Sequence, residues 1–485
     1  LIPLYLSRTA FGSYRYTAED FISPMVIPPE YYGRTKHGRR IFDLSLQHGT
    51  TEFFKGYHTP TIGINASYLG PVLRLKQGEF AEFNVKNNLN MPSTIHWHGV
   101  HLPARMDGGP HQEIAQGQTW KASFEIHQPA STLWYHSHLH NYTGPQVYQG
   151  LAGLFYVDDE FSQKADIPKT YGINDIPLIL QDRSFYKDGS FRYVSNMHER
   201  MAGVRGGHIL VNGVTRPLYR VQKKQVRFRV LNGSNARTYN LHFSDNREFT
   251  QIASDGGFLQ TPVRMKRLRL SSGERAEIIV EFGMNDDVML QHEPLPMNNL
   301  GMGMMAMMMS GDNQPFNIMR FASKNPDGDV VSLQAITYSS PILNPEDAIK
   351  TRKFQLDMAM GMGMMMGRGS GGGSAFSINN KSFDMNRFDE VVNLNATEIW
   401  EFTNNSPMPH PMHIHDIQFR VLSRNNGPAD PNEQGLKDTV LVNPDETVRV
   451  ITRFEHYADD RYPYMFHCHI LEHEDQGMMG QFLVV

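Results

Sequence analysis

A pattern that occurs three times constrains the fold of this chain more than any single motif. Gly63-Ile64-Asn65, Leu210-Val211-Asn212-Gly213 and Ser377-Ile378-Asn379-Asn380 each precede a stretch of alternating apolar and polar residues that ends in asparagine. Alternation with a period of two sends successive side chains to opposite faces, which is the signature of a half-buried strand. Such stretches recur, among them 79–85, 226–230, 398–402 and 448–454, bounded by Gly, Asn or Pro. No long helical periodicity competes with them, so we expect an all-β chain of Greek-key sandwiches. Each copy then runs into a corresponding segment: Ile95-His96-Trp97-His98, Tyr239-Asn240-Leu241-His242 and Met412-His413-Ile414-His415. The outer copies carry paired histidines and the middle one has lost a member, which makes the middle unit a spacer. A length of 485 residues exceeds one ordinary core. We expect three domains at 1–160, 161–340 and 341–485, connected near 158–177 and 339–350.

Charge and hydropathy remove several classes of partner. With 46 basic and 50 acidic residues the formal charge is −4, which offers no basic field for nucleic acid. The longest apolar tract, 300–309, is broken by glycine and falls well short of the ~20 residues of a membrane-spanning helix. One cysteine, Cys468, excludes an intramolecular disulfide and leaves a thiol that is either inert core or reactive and metal-bound.

Four His-X-His pairs stand at His96/His98, His136/His138, His413/His415 and His467/His469. In a strand both members of such a pair face one way and can grip one metal. A single pair is as readily a polar strand face, but four of them, two near each end, are not a chance pattern. Imidazole suits copper, zinc and iron alike. The cysteine narrows the choice: in His467-Cys468-His469 the alternation that sends both imidazoles one way sends the thiol the other, toward a second site. His473 and Met478 follow Cys468 at five and ten residues and His410 lies upstream. Two imidazoles, a thiolate and a weak thioether make a blue-copper electron-transfer set. A buried inert cysteine would leave His473 and Met478 unexplained.

Taken together, Ile95-His96-Trp97-His98-Gly99, Trp134-Tyr135-His136-Ser137-His138, His410-Pro411-Met412-His413-Ile414-His415 and His467-Cys468-His469-Ile470-Leu471-Glu472-His473 resemble the four copper motifs of multicopper oxidases. The resemblance spans the chain and is nearest to bacterial laccase-like and cuprous oxidases. It implies three cupredoxin-like domains, four copper ions and dioxygen as co-substrate. It implies a type 1 copper on His410, Cys468, His473 and axial Met478, and a type 2 copper on His96 and His413. It also implies a type 3 pair, one copper on His98, His136 and His469 and the other on His138, His415 and His467. Asp107, in Asp107-Gly108-Gly109-Pro110, and Glu474 match carboxylates that relay protons in similar enzymes. The plainer alternatives are a turn aspartate and a group that orients a ligand. Ser137 stands where Cys468 stands in the other copy, so the first domain is expected to lend imidazoles to a shared cluster at the interface of the terminal domains without holding a blue copper.

Thirteen of the 28 methionines fall in two glycine-rich tracts, 297–309 and 358–366. Thioethers select Cu(I) over harder cations, which points to cuprous ion as substrate; a flexible apolar lid is the alternative. Met358 and Met408 fall at methionine positions of a cuprous site in the related oxidases. Ser406 and Gly363 stand where acids are expected, and Asp357 can compensate. Three rivals share this pattern: a laccase-type oxidase of phenols or aromatic amines, a scaffold of the same fold, and a copper-storage protein. The complete ligand set speaks against the scaffold, and oxygen consumption separates the store from an oxidase. We expect a monomer in the periplasm or outside the cell.

Overall fold

A computed structural model describes residues 16–294, 314–333, 338, 342–358 and 375–485. Within them six β-sheets form three sandwiches with two sheets each. The expectation of an all-β chain of three cupredoxin-like sandwiches is met. The tract 297–309 and, apart from Met358, the tract 358–366 lie outside the described residues.

The threefold repeat read from the sequence holds down to individual hydrogen bonds. In each sandwich an opening strand lies parallel to the asparagine-ending strand: Arg39–Phe54 beside Phe80–Asn87, Asp175–Arg183 beside Gln225–Asn232, and Lys350–Met358 beside Thr397–Asn404. On its other side each asparagine-ending strand pairs antiparallel, with Thr119–Glu125, Arg275–Glu281 and Thr447–Arg453 in turn. Asn65, Asn212 and Asn379 take left-handed φ values of 55°, 51° and 53°, a conformation asparagine tolerates. Their side-chain oxygens accept the N–H of Ser45, Ile179 and Gln355 at 2.6–2.8 Å, and their amides donate to the carbonyls of Asp43, Pro177 and Lys353 at 2.9–3.0 Å. The terminal Asn87, Asn232 and Asn404 each donate to two carbonyls: Met91 and Ile114, Arg237 and Leu270, Met408 and Val442. A buried amide saturated in this way fixes the path by which the chain leaves each strand. That path leads to the histidine segments.

The core explains why the two ends of the chain meet. One continuous cluster of buried apolar side chains runs from Phe42, Phe83 and Trp97 in the first sandwich to Trp400, Phe466 and Phe482 in the third. The second sandwich has a cluster of its own, around Phe228, Tyr239 and Phe321. The strand Ser23–Pro24 precedes the first sandwich in sequence yet pairs with Pro217–Lys223 of the second. Two short helices complete the frame of the site: Thr143–Gln149 follows the second histidine pair and Leu471–Asp475 follows the fourth.

Candidate metal centre

Alternation delivers the histidine pairs to one place. Trp97 turns into the core against Phe83, ring centroids 4.2 Å apart, so His96 and His98 face the other way. Truncating a buried tryptophan such as this costs about 3–5 kcal/mol, which makes Trp97 an anchor for both neighbours. The backbone of His96 exchanges hydrogen bonds with that of His136 at 2.8 and 3.1 Å. His413 pairs with His467 across the strands His410–Ile414 and Asp459–Cys468. All four pairs converge at the seam of the first and third sandwiches, fully buried.

Their nitrogens form three groups, each within 4.8 Å: His96, His98 and His413; His98, His136 and His469; His138, His415 and His467. Nε2 of His467 lies 3.2 Å from Nε2 of both His138 and His415. Two imidazole nitrogens at about 2.0–2.1 Å from one ion stand roughly 3.3 Å apart, so this spacing suits a shared metal. Nε2 of His96, His413 and His469 has no hydrogen-bond partner. A buried polar atom left so costs about 1–3 kcal/mol, a penalty that a bound ion removes. Orphaned nitrogens and donor chemistry both fit copper.

Three carboxylates fix the rings from behind. The Asp107 carbonyl lies 2.9 Å from Nδ1 of His96, and its Oδ2 lies 2.7 Å from Nδ1 of His415. Glu474 lies 3.3 Å from Nδ1 of His138 through Oε1 and 3.2 Å from Nδ1 of His467 through Oε2. Asp438 serves His98 Nε2 through Oδ1 at 2.9 Å and His413 Nδ1 through its carbonyl at 2.8 Å. His98 is thereby reversed and presents Nδ1, 3.4 Å from Nε2 of His136. Such partners hold ring orientation and tautomer. Asp438 carries no signal in the sequence: it bears no spacing relation to a histidine, and only the fold brings it to the site, where Arg275 of the second sandwich holds it at 2.5 and 2.7 Å. Asp107 depends on the turn after it. Gly108 has φ 77°, and a Cβ there would stand 1.7 Å from the Ile95 carbonyl oxygen.

Burial, reinforced by the neighbouring imidazoles, drives His98, His136, His138, His413, His415 and His469 well below the ordinary histidine range. The neutral ring is the ligating form. Burial also raises the Glu474 carboxyl above the ordinary carboxylate range, with Asp475 adding to the shift. The Thr143 hydroxyl donates to it at 2.5 Å.

On the opposite face of the last pair, Cys468 Sγ lies 3.4 Å from Nδ1 of His410 and 3.7 Å from Nδ1 of His473. Burial pushes this thiol up, so ionising it requires a cation at the sulfur. Met478 is buried alongside, its carbonyl accepting the Cys468 N–H at 3.0 Å. The outer nitrogens are occupied: His410 Nε2 lies 2.7 Å from the Ser406 hydroxyl and His473 Nε2 lies 3.0 Å from the Met201 carbonyl. Phe376 stacks on His473 with centroids 4.0 Å apart, and Met358 is the cross-strand partner of Phe376. Met408 is buried, and Asp357 accepts from Asn405 at 3.2 Å.

The first sandwich holds the same frame with other side chains. Cys468 N–H to the Met478 carbonyl, and Met478 N–H to the His473 carbonyl, are matched by Ser137 to Leu151 and Leu151 to Gln146. Ser93 precedes His96 by three residues as His410 precedes His413. The corresponding set is therefore Ser93, Ser137, Gln146 and Leu151. Both serine hydroxyls donate to Gln146 Oε1, at 2.7 and 2.6 Å.

Comparison with known proteins agrees with this geometry. Three family models, each described as multicopper oxidase, match residues 45–162, 174–290 and 354–485. A protein of Staphylococcus haemolyticus named multicopper oxidase mco is 34% identical over 93% of this chain and 90% of its own length. This chain is a multicopper oxidase. The cell division protein FtsP of Photorhabdus laumondii is 30% identical over 95% of the oxidase and 92% of its own length. Among solved structures, the laccase-like CueO of Ochrobactrum sp. is 38% identical, with TM-score 0.85 and coverage of 95% and 100%. The Campylobacter jejuni multicopper oxidase, described as a metallo-oxidase, is 27% identical, with TM-score 0.81 and coverage of 97% and 98%. As a family member the oxidase carries four coppers, one type 1, one type 2 and a type 3 pair, and oxidises small-molecule substrates with dioxygen. Among its described residues no helix is long and apolar enough to cross a membrane.

Proposed function

We propose that this oxidase removes electrons singly from cuprous ions at a type 1 copper and delivers them to dioxygen at the trinuclear cluster. In this reading His410, Cys468, His473 and Met478 would hold the type 1 copper, and His96 and His413 would hold type 2. His98, His136 and His469 hold one type 3 copper, and His138, His415 and His467 the other. Bound there, copper supplies electron transfer and the reduction of dioxygen to water. The chain supplies the rest. Cys468 joins the two centres covalently through His467 and His469. Asp107, against ring nitrogens of His96 and His415, and Glu474, against those of His138 and His467, hold and pass protons, which is general acid work.

The choice of donor rests on one observation: among the described residues, neither imidazole of the type 1 set presents an open edge. His410 and His473 are both 0% exposed, their outer nitrogens face Ser406 and Met201, and Phe376 covers a face of His473. A phenol that must touch an imidazole finds no place there, whereas a soft ion held by thioethers can pass its electron through the protein. We assign Met358, Met408 and Asp357 to that ion. Met358 adjoins Phe376, Met408 lies two residues before His410, and Asp357 Oδ2 lacks a hydrogen-bond partner. The test is Cu(I) and phenol turnover in wild type and in Met358→Leu/Met408→Leu. Selective loss of cuprous turnover supports the assignment; equal loss, or none, removes it. A phenol-oxidising reading draws on the Ochrobactrum relative, described as active towards lignin model compounds. All the proposed donors come from one chain, so we assign the activity to a monomer, exported to the periplasm or cell exterior, where copper protects a lone thiol.

A further inference from the structure

Its lost histidine marks the second sandwich as a spacer in the sequence, yet one of its turns enters the seam that holds the trinuclear ligands. The turn joins the strands Leu268–Leu270 and Arg275–Glu281. The Ser272 hydroxyl donates to the His469 carbonyl, and its oxygen lies 3.3 Å from Nδ1 of the same ring. Gly273, at φ 86°, runs so close that a Cβ there would stand 2.8 Å from the His469 imidazole. Arg275, 1% exposed, spends all five N–H groups inside the protein. Two go to Oδ1 and Oδ2 of Asp438 at 2.7 and 2.5 Å, and three to the carbonyls of Thr132, Gly273 and Asp255 at 2.9–3.1 Å. The Gln418 amide adds a bond to Asp438 Oδ2 at 3.2 Å. Asp107 and Glu474 back the rings of His96, His415, His138 and His467. The turn reaches a different set: His469 directly, and His98 and His413 through Asp438.

We propose that Arg275 is a positioning residue for the trinuclear cluster. Its fork fixes the Asp438 carboxylate, the carboxylate holds Nε2 of His98, and that bond keeps the ring reversed with Nδ1 toward His136. A ring released from Asp438 could flip and offer Nε2 in place of Nδ1, which moves the donor atom away from the ion it shares with its neighbours. The second sandwich is then a working part of the oxygen-reducing centre. This rests on the assignment of His98 and His413 to the cluster and holds whichever electron donor the oxidase uses.

Arg275→Lys keeps the positive charge in the seam and removes the fork. Copper-loaded protein is titrated with a chelator while type 1 and type 2 copper are counted separately by their paramagnetic signals. Type 2 copper affinity should fall about tenfold in the variant, with the blue absorption and the type 1 signal unchanged. A general weakening of the fold would lower both coppers together. Asp438→Asn keeps the shape and should give the same selective loss, and the double variant should lose no more than Asp438→Asn alone, because Arg275 acts through that carboxylate. If the lysine variant does not fold, Arg275→Gln/Asp438→Asn leaves no buried charge unpaired and should show the selective type 2 loss. Type 2 copper held at wild-type affinity, parallel loss of both coppers, or additive losses in the double variant overturns the proposal. If wild type shows a blue copper but no type 2 signal, the ligand assignment itself falls.

Discussion

The first and third sandwiches offer a controlled contrast. Both run a strand into a His-X-His pair, follow it with a short helix, and close the loop with the same two backbone hydrogen bonds. Inside that frame one has His410, Cys468 and His473 with converging donors and the buried Met478, and the other has Ser93, Ser137, Gln146 and Leu151. The serine and glutamine atoms satisfy one another, so the pocket is closed by hydrogen bonds and needs no ion. The contrast extends one residue further: Glu474 follows His473, while the buried Val147 follows Gln146. In the proposed reading the shared frame sets where a metal can sit, and four side chains decide whether one does.

Copying the first sandwich into the third at one atom is the strongest way to break this contrast. Cys468→Ser should abolish the blue absorption, the type 1 paramagnetic signal and oxidase turnover; a blue, active variant would sink the assignment. Next comes the acid that the first sandwich lacks. Glu474→Gln keeps the shape and should slow reoxidation of the reduced enzyme by dioxygen about a hundredfold, measured by stopped flow. An unchanged rate removes Glu474 from proton delivery. Ser406→Ala takes away the hydroxyl 2.7 Å from His410 Nε2 and should weaken type 1 copper affinity about tenfold, read by competition with a chelator. The smallest effect belongs to the first sandwich. Ser137→Ala removes one of two donors to Gln146 and should lower stability by about 1 kcal/mol in denaturant unfolding while the blue absorption stays as it was. A spectral change there would mean that the first sandwich is not metal-free.

Much of this contrast is legible in the sequence. The histidine pairs and Cys468 read directly, because a period of two makes facing residues neighbours in the sequence. The triplicated asparagines read as a repeat, and the structure gives each the same set of bonds. The helix loop did not read: Ser137 and Gln146 are nine residues apart where Cys468 and His473 are five, so no spacing aligns them. Asp438 escaped because its partners are 340 residues away at His98 and 25 away at His413. Met201 escaped because it acts through its carbonyl, an atom every residue possesses.

The seam between the terminal sandwiches also makes the metal a staple. An ion shared by His96 and His413 closes a loop of 413 − 96 = 317 residues. In the chain-entropy description a cross-link of that span constrains the unfolded ensemble by on the order of 5 kcal/mol, comparable with a long-range disulfide. A chain with a single thiol can therefore gain from copper the kind of covalent-like tie that disulfide-bonded proteins draw from paired cysteines.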